Sequence, residues 1–408
     1  MKPNAIPSRR RLIRSGVAAT LAPWATGVPL ARAADEGARE SASRDGRPPI
    51  LVVVELSGGN DGLNSVVPFG DDAYYRHRPN IGIREADTLR LDDHYGLNPG
   101  MLGFHRLWQE SRLAIIHGCG YAQPSYSHFT SMAYWHTAAP NRGDALGWVG
   151  RLADSMAGTR RDNMIINIAA SQSLAVRSAV HTPVVFQDPR RFARYQWMQA
   201  PVHAEESAPT GNPARDYLRA VDLGARASSA QIGDAWNRYQ TDVDYGIVPM
   251  DLPKVAACIA AGLPTQLYYV SYRNNAFDTH VNQPALHRRL LSYACDGVFG
   301  FIRDMRRLGQ ADRVVVMVFS EFGRRVTENA NLGTDHGTAN VMFLAGEPVR
   351  GGHYGQAPGL TDLADDNLRH TVDFRRVYAT LIGGWLGADS GRVLKGAFEP
   401  IADVIRES

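Results

Sequence analysis

Residues 314–346 read VVVMVFSEFGRRVTENANLGTDHGTANVMFLAG: two uninterrupted apolar runs on either side of a polar loop. Residues 314–319 show no alternation of polar and apolar side chains. Such a run suits a strand buried on both faces, as in a parallel sheet covered by helices. Residues 341–345 are a second run of the same kind. Between them lie Glu321, Arg324, Asp335 and His336. Open α/β sheets place their ligands beyond the carboxyl ends of the strands, so this loop is a candidate metal or catalytic loop. The competing reading is a capped turn carrying surface charges.

The pattern recurs along the chain. Residues 50–56, ILVVVEL, run into Ser57-Gly58-Gly59-Asn60-Asp61-Gly62-Leu63-Asn64. Paired glycines let the backbone turn sharply beside a ligand, and Asp61 is either a metal ligand or a cap for the next segment. No Lys-Ser/Thr follows at the spacing of a phosphate-binding P-loop. Residues 113–117 lead to Pro124-Ser125-Tyr126-Ser127-His128-Phe129 and a helix starting near Ser127. A serine at a helix amino terminus, where free N–H groups and the dipole favour an anion, is a candidate nucleophile as well as an ordinary N-cap. Strand 265–270 precedes Phe277-Asp278-Thr279-His280, whose Asp278 and His280 form a ligand pair suited to a divalent metal. His136 reads as packing, and His287 as a surface or supporting histidine on a helix spanning 284–308. Residues 164–168 and 183–186 read as short strands, 188–248 as a helical insertion, and 374–386 as a packing helix.

The amino end carries an export address. Ser8-Arg9-Arg10-Arg11-Leu12-Ile13-Arg14, a mildly apolar run and Ala31-Arg32-Ala33 together make a twin-arginine signal peptide over residues 1–33. The apolar run contains Pro23, Trp24 and Pro29 and is too short to span a membrane. The expected partner is the twin-arginine translocation machinery and the expected location the periplasm or beyond, with no integral membrane segment in the mature form. Removing residues 1–33 deletes six basic residues and no acid, which takes the formal charge from +3 to about −3. That balance argues against nucleic-acid binding. Cys119, Cys258 and Cys295 are too few and too scattered for a disulfide framework or a CxxC zinc site, though one bridge is compatible with an oxidising compartment. Residues 34–48 read as a flexible linker, and 49–408 as one α/β domain with a mostly parallel central sheet flanked by helices.

Parallel strands send their carboxyl ends to one edge, so the loops carrying Asp61, Ser127, Asp278 with His280, and Glu321 with Asp335 and His336 can converge. Read in this way they make a metal-dependent hydrolytic site. The motifs SRRRLIR, LVVVELSGGNDGLN, PSYSHF, FDTH, VFSEFGRR, GTDHGTANVMFLAG and DFRRVYATLIGGWLG resemble a bacterial export family catalogued as domain of unknown function 1501. That family in turn resembles the alkaline phosphatase and sulfatase superfamily. The resemblance implies an alkaline phosphatase-like fold and one or two divalent ions (zinc, manganese, magnesium or calcium). It also implies Asp61, Asp278, His280 and His336 as metal residues, with Ser127, or failing that Ser125, as nucleophile, while Glu321 and Asp335 stand as candidate metal residues on the reading of their loop alone. The chain departs from the superfamily where Glu321-Phe322 stands in place of an Asp-His ligand pair. That replacement removes one histidine ligand, so one metal is expected rather than two, and the absence of the Cys/Ser-x-Pro-x-Arg sulfatase signature argues against an ordinary sulfatase mechanism.

The expected function is hydrolysis of phosphate or sulfate esters, with a serine or a metal-bound water as nucleophile and with Arg324 or His128 helping to hold the anionic substrate. The alternative is a non-catalytic exported protein on the same scaffold that binds an envelope glycan or assists surface assembly. A nucleotide-dependent redox role is disfavoured because no GxGxxG follows a strand.

Overall fold

The computed structural model describes residues 46–194, 212–272 and 274–406. The signal peptide expected over 1–33, the linker up to residue 45 and residues 195–211 of the expected insertion lie outside the described residues. The last linker residues are docked: Arg47 Nη2 donates to the Gly309 carbonyl at 2.9 Å, and Arg313 Nη1 to the Pro48 carbonyl at 2.8 Å.

The strands of the main sheet are β1 (Ile50–Leu56), β2 (Leu113–Gly120), β3 (Ile165–Ile168), β4 (Val184–Phe186), β5 (Leu267–Tyr272), β6 (Val314–Phe319), β7 (Asn340–Ala345), β8 (Gly352–Tyr354) and β9 (Val372–Asp373). Their order is β8-β2-β7-β6-β1-β5-β3-β4, with β9 also paired to β2. Every pairing is parallel except those of β7, which runs antiparallel to both β2 and β6. The sheet is therefore mostly parallel, as expected. The antiparallel β7 keeps the loop between β6 and β7 at the carboxyl edge, because that loop leaves β6 there and enters β7 there.

The unbroken apolar strands follow from two-sided burial. In β6, Val314, Val316 and Val318 join one core, while Val315, Met317 and Phe319 join the other. In β1, Ile50, Val52, Val54 and Leu56 face the first core and Leu51 and Val53 the second. Helices cover both faces: α1 (Leu102–Gln109), α2 (His128–Thr137), α3 (Trp148–Met156), α4 (Pro189–Arg194), α5 (Pro213–Arg238), α6 (Leu252–Ala260), α7 (Gln283–Arg307) and α8 (Phe374–Ala379). Phe104 and Leu107 of α1 share the first core with Leu291, Val298 and Phe301 of α7, and Trp135 of α2 and Tyr378 of α8 share the second. After α8 the chain continues as a π-helix over Thr380–Trp385, so the expected packing helix is helical throughout but changes its winding.

Two histidine expectations need correction. His287 is not on the surface: it is 1% exposed, its Nε2 lies 2.9 Å from Asn60 Oδ1, and burial pushes its pKa down to about 4. His136 does more than pack, because its Nε2 lies 2.7 Å from the buried Glu55 carboxylate. The three cysteines are free and buried, so no bridge forms among them. No helix among the described residues is long and apolar enough to cross a membrane.

Candidate metal centre

Arg324 holds together the loops that follow β1, β5 and β6. Its guanidinium donates to the carbonyls of Gly59 (2.6 Å), Gly58 (2.5 Å), Thr334 (2.9 Å) and Phe277 (3.0 Å), and to Asp278 Oδ1 (2.7 Å). The side chain is 1% exposed. It is therefore a strut between loops, and its donors are not free to hold a substrate anion as the sequence led us to expect. Gly58 makes the close approach possible. Its φ is +119°, and a Cβ there would lie 2.5 Å from the Asp278 amide nitrogen, a position that only glycine fills.

Asp278 is the centre of the arrangement. Its Oδ1 lies 3.0 Å from His280 Nε2 and 3.1 Å from His336 Nε2, and its Oδ2 lies 3.3 Å from His128 Nε2. Burial works to raise the Asp278 carboxyl. The adjacent Arg324 guanidinium and the imidazoles outweigh it and hold the group below the usual carboxylate range.

Each of the three imidazoles is engaged from behind at Nδ1. For His128 the partner is Glu321 Oε1 at 2.8 Å, for His336 the Tyr126 carbonyl at 2.7 Å, and for His280 Asp335 Oδ1 at 3.2 Å. A neutral imidazole that gives its Nδ1 proton to such an acceptor turns an Nε2 lone pair forward. His128 Nε2 is buried and makes no hydrogen bond. His280 and His336 bring their Nε2 atoms within 2.9 Å of each other. Lone pairs converging on a carboxylate repel one another unless a cation or a proton lies among them. His128, Asp278 and His336 present ligand atoms that all lie within 4.8 Å of one another, and one carboxylate with two backed imidazoles is a donor set for a divalent ion of borderline hardness. Burial holds the His336 imidazole below its ordinary pKa, whereas the hydrogen bond to Glu321 holds His128 above it.

The remaining expected residues occupy other roles. Asp61 is fully buried and fully engaged: Oδ1 accepts the Leu63 and Asn64 amides, and Oδ2 accepts Arg78 Nη1 at 2.7 Å and Gln283 Nε2 at 2.5 Å. It has no oxygen left for a metal. Glu321, also fully buried, spends its oxygens on the Gly58 amide, the Ser320 hydroxyl and His128. It orients a ligand and is not among the converging atoms. Asp335 plays the same part for the half-exposed His280, helped by Asn329 Nδ2 at 3.1 Å. Ser127 is the N-cap of α2, with only a long contact of 3.5 Å from the Thr130 amide to its Oγ, and it is exposed. Ser125 is partly buried, and its Oγ accepts the Ser127 amide. Sequence reasoning missed Arg78 and Asn329 and the metal-facing role of His128. The only signal for the last was the Ser-His step at a predicted helix start.

A family model described as "Protein of unknown function (DUF1501)" matches residues 49–398. No curated protein matches the chain. Among solved structures, the chain is similar to the lipoteichoic acid synthase LtaP from Listeria monocytogenes (9% identity, 86% of this chain and 75% of that chain, TM-score 0.39). It is also similar to the PsFucS1 sulfatase from Pseudoalteromonas sp. (12%, 89% and 74%, TM-score 0.38) and to the phosphonate monoester hydrolase SpPMH from Silicibacter pomeroyi (9%, 86% and 75%, TM-score 0.39). None of these likenesses bears on the side chains of the site.

Proposed function

The chain belongs to the DUF1501 family, and from that premise we propose that it is an exported, metal-dependent hydrolase of phosphate or sulfate esters. The observation that carries this reading is the set of imidazoles backed at Nδ1 and converging through Nε2 on Asp278. His128, Asp278 and His336 would hold one divalent ion, and the two nitrogen donors favour zinc over the oxygen-preferring manganese, magnesium and calcium. Such an ion supplies positive charge that offsets the charge developing on ester oxygens.

The chain's own groups supply the rest. The amino end of α2 brings the positive end of a helix dipole to His128, which favours an anion there. Ser127, exposed and only weakly engaged, is the nucleophile this reading puts forward, with Ser125 or a water molecule as the alternatives. His280, oriented by Asp335 and the most exposed of the three imidazoles, would move the proton to the leaving oxygen. Export through the twin-arginine route rests on residues 8–33.

The test is elemental analysis of the folded, exported protein beside a His128→Ala/His336→Ala variant, followed by assays with p-nitrophenyl phosphate, its diester and its sulfate. Stoichiometric metal, lost in the variant together with turnover, is the expected result. A wild type that stays metal-free after incubation with zinc, manganese, magnesium and calcium would sink the reading. Changing Arg9 and Arg10 to Lys should leave the uncleaved precursor in the cytoplasm. One observation favours the non-catalytic alternative: Asp61 and Arg324, expected to serve metal and substrate, are both consumed by the scaffold. A protein that binds metal, turns over none of these esters and retains an envelope glycan would support it.

A further inference from the structure

The cluster is open to solvent and bordered by hydrocarbon. Among the described residues, eight large apolar or tyrosine side chains stand exposed, and four of them (Tyr126, Phe129, Val281 and Leu332) lie within about four residues in sequence of a histidine of the cluster. Scattered exposed apolar residues need no explanation, whereas four of them beside one polar centre suit a ligand that carries hydrocarbon of its own. Phe129 follows His128 directly and is 88% exposed, and Tyr126 contributes the carbonyl that backs His336. In the segment between β5 and α7, Val281 follows His280 directly and is exposed. The Asn282 amide donates to the Asn331 carbonyl at 2.9 Å and the Gln283 amide to Leu332 at 2.8 Å, so Val281 and Leu332 sit on paired backbones.

The rings of His128 and His280 both pack against that of His336. Ring centroids are 4.4 Å apart from His128 to His336 and 4.7 Å from His336 to His280. Leu332 holds a φ of +57° while being 44% exposed. A left-handed leucine costs about 1–2 kcal/mol and gains nothing from solvent, and such strain tends to gather at ligand clamps. Asn329 Oδ1, which accepts the amides of Asn331 and Gly333, keeps the turn in that shape. Three cavities among the described residues, of about 230, 510 and 750 Å³, have linings that include no residue of the cluster.

We infer that the ester acted on at this centre is amphipathic: an anionic head beside His128, Asp278 and His336, and an aryl or alkyl group lying against Phe129 and Tyr126 or against Leu332 and Val281. This rests on the hydrolase reading and narrows its substrate class. The aliphatic pair argues against a wholly hydroxylated partner such as a bare sugar phosphate, which offers hydrocarbon side chains little to bury.

The test is calorimetric binding to the metal-loaded full chain of inorganic phosphate, methyl phosphate, phenyl phosphate and n-octyl phosphate. The phenyl and octyl esters should bind at least about tenfold tighter than the methyl ester, the order expected for burying one such group. A Phe129→Ser/Leu332→Asn variant should lose that preference while binding inorganic phosphate as the wild type does. Both positions are exposed, and Asn tolerates the left-handed backbone, so the variant should fold. Equal affinity for all three esters overturns the inference and leaves the hydrolase reading standing. No binding of any of the four anions overturns both. If phosphatidylglycerol vesicles bind equally well to the wild type and to a His336→Ala variant, while the soluble esters show no preference, the rim belongs to a lipid surface and the inference falls.

Discussion

Glu321 decides which nitrogen of His128 is free, although it points no atom at the cluster itself. Removing such a backing carboxylate typically costs about 10–100-fold in metal affinity without removing a ligand. Glu321→Gln should therefore weaken metal binding by that factor in competitive titration and leave the far-ultraviolet dichroism unchanged. Asp61 should behave in the opposite way. Replacing it with Asn strands the buried Arg78 guanidinium, a loss of about 3–5 kcal/mol by analogy with broken buried pairs, while metal affinity stays within error. Burial alone would raise the Asp61 carboxyl, but Arg78 outweighs it and holds the group below its ordinary value. Its stabilisation is therefore complete above the unfolded-state pKa of about 3.9 and disappears as pH falls through the lower folded value. Denaturant midpoints should show the wild type ahead of Asp61→Asn at pH 7, with the gap closing in acid. Both residues were visible in the sequence as carboxylates past buried strands, but their roles were not. The role of Asp61 is set by Arg78, 17 positions away, and Gln283, 222 positions away, and that of Glu321 by His128, 193 positions away, and no local pattern reports such partners.

At the scale of elements, the strands were legible because two-sided burial leaves an unbroken apolar run, and β1 and β6 matched that reading. Direction was not legible. The sequence of β7 is as apolar as that of a parallel strand, and only its pairing with β2 and β6 reveals the reversal. The convergence of the loops depends on the turn after β1, where Gly58 is both left-handed and pressed against the Asp278 loop. Gly58→Ala forces a choice between strain and displacement of Asp278. The expected result is destabilisation of at least about 2 kcal/mol together with loss of metal binding. Thermal denaturation and metal titration on the same preparation check it. A variant that binds metal normally would show that Asp278 is not held by this contact.

For the whole molecule, the decisive feature is that the three proposed ligands come from segments spread over about half of the chain, His128 at the first residue of α2, Asp278 after β5 and His336 before β7. An unfolded chain does not hold these groups together, so metal binds the native state alone and its binding free energy becomes folding free energy. At a free metal concentration one hundred times Kd this stabilises by about 2.7 kcal/mol, which for a chain of this size raises Tm by roughly 3–4 °C. Calorimetric scans with increasing zinc or manganese should therefore move the main transition upward, in proportion to the logarithm of metal concentration once the site is saturated. The His128→Ala/His336→Ala variant should show a fixed Tm across the same series. If the wild-type transition is equally insensitive, the converging imidazoles are holding shared protons instead of an ion. Their Nε2 contacts would then loosen above the pH at which those protons leave.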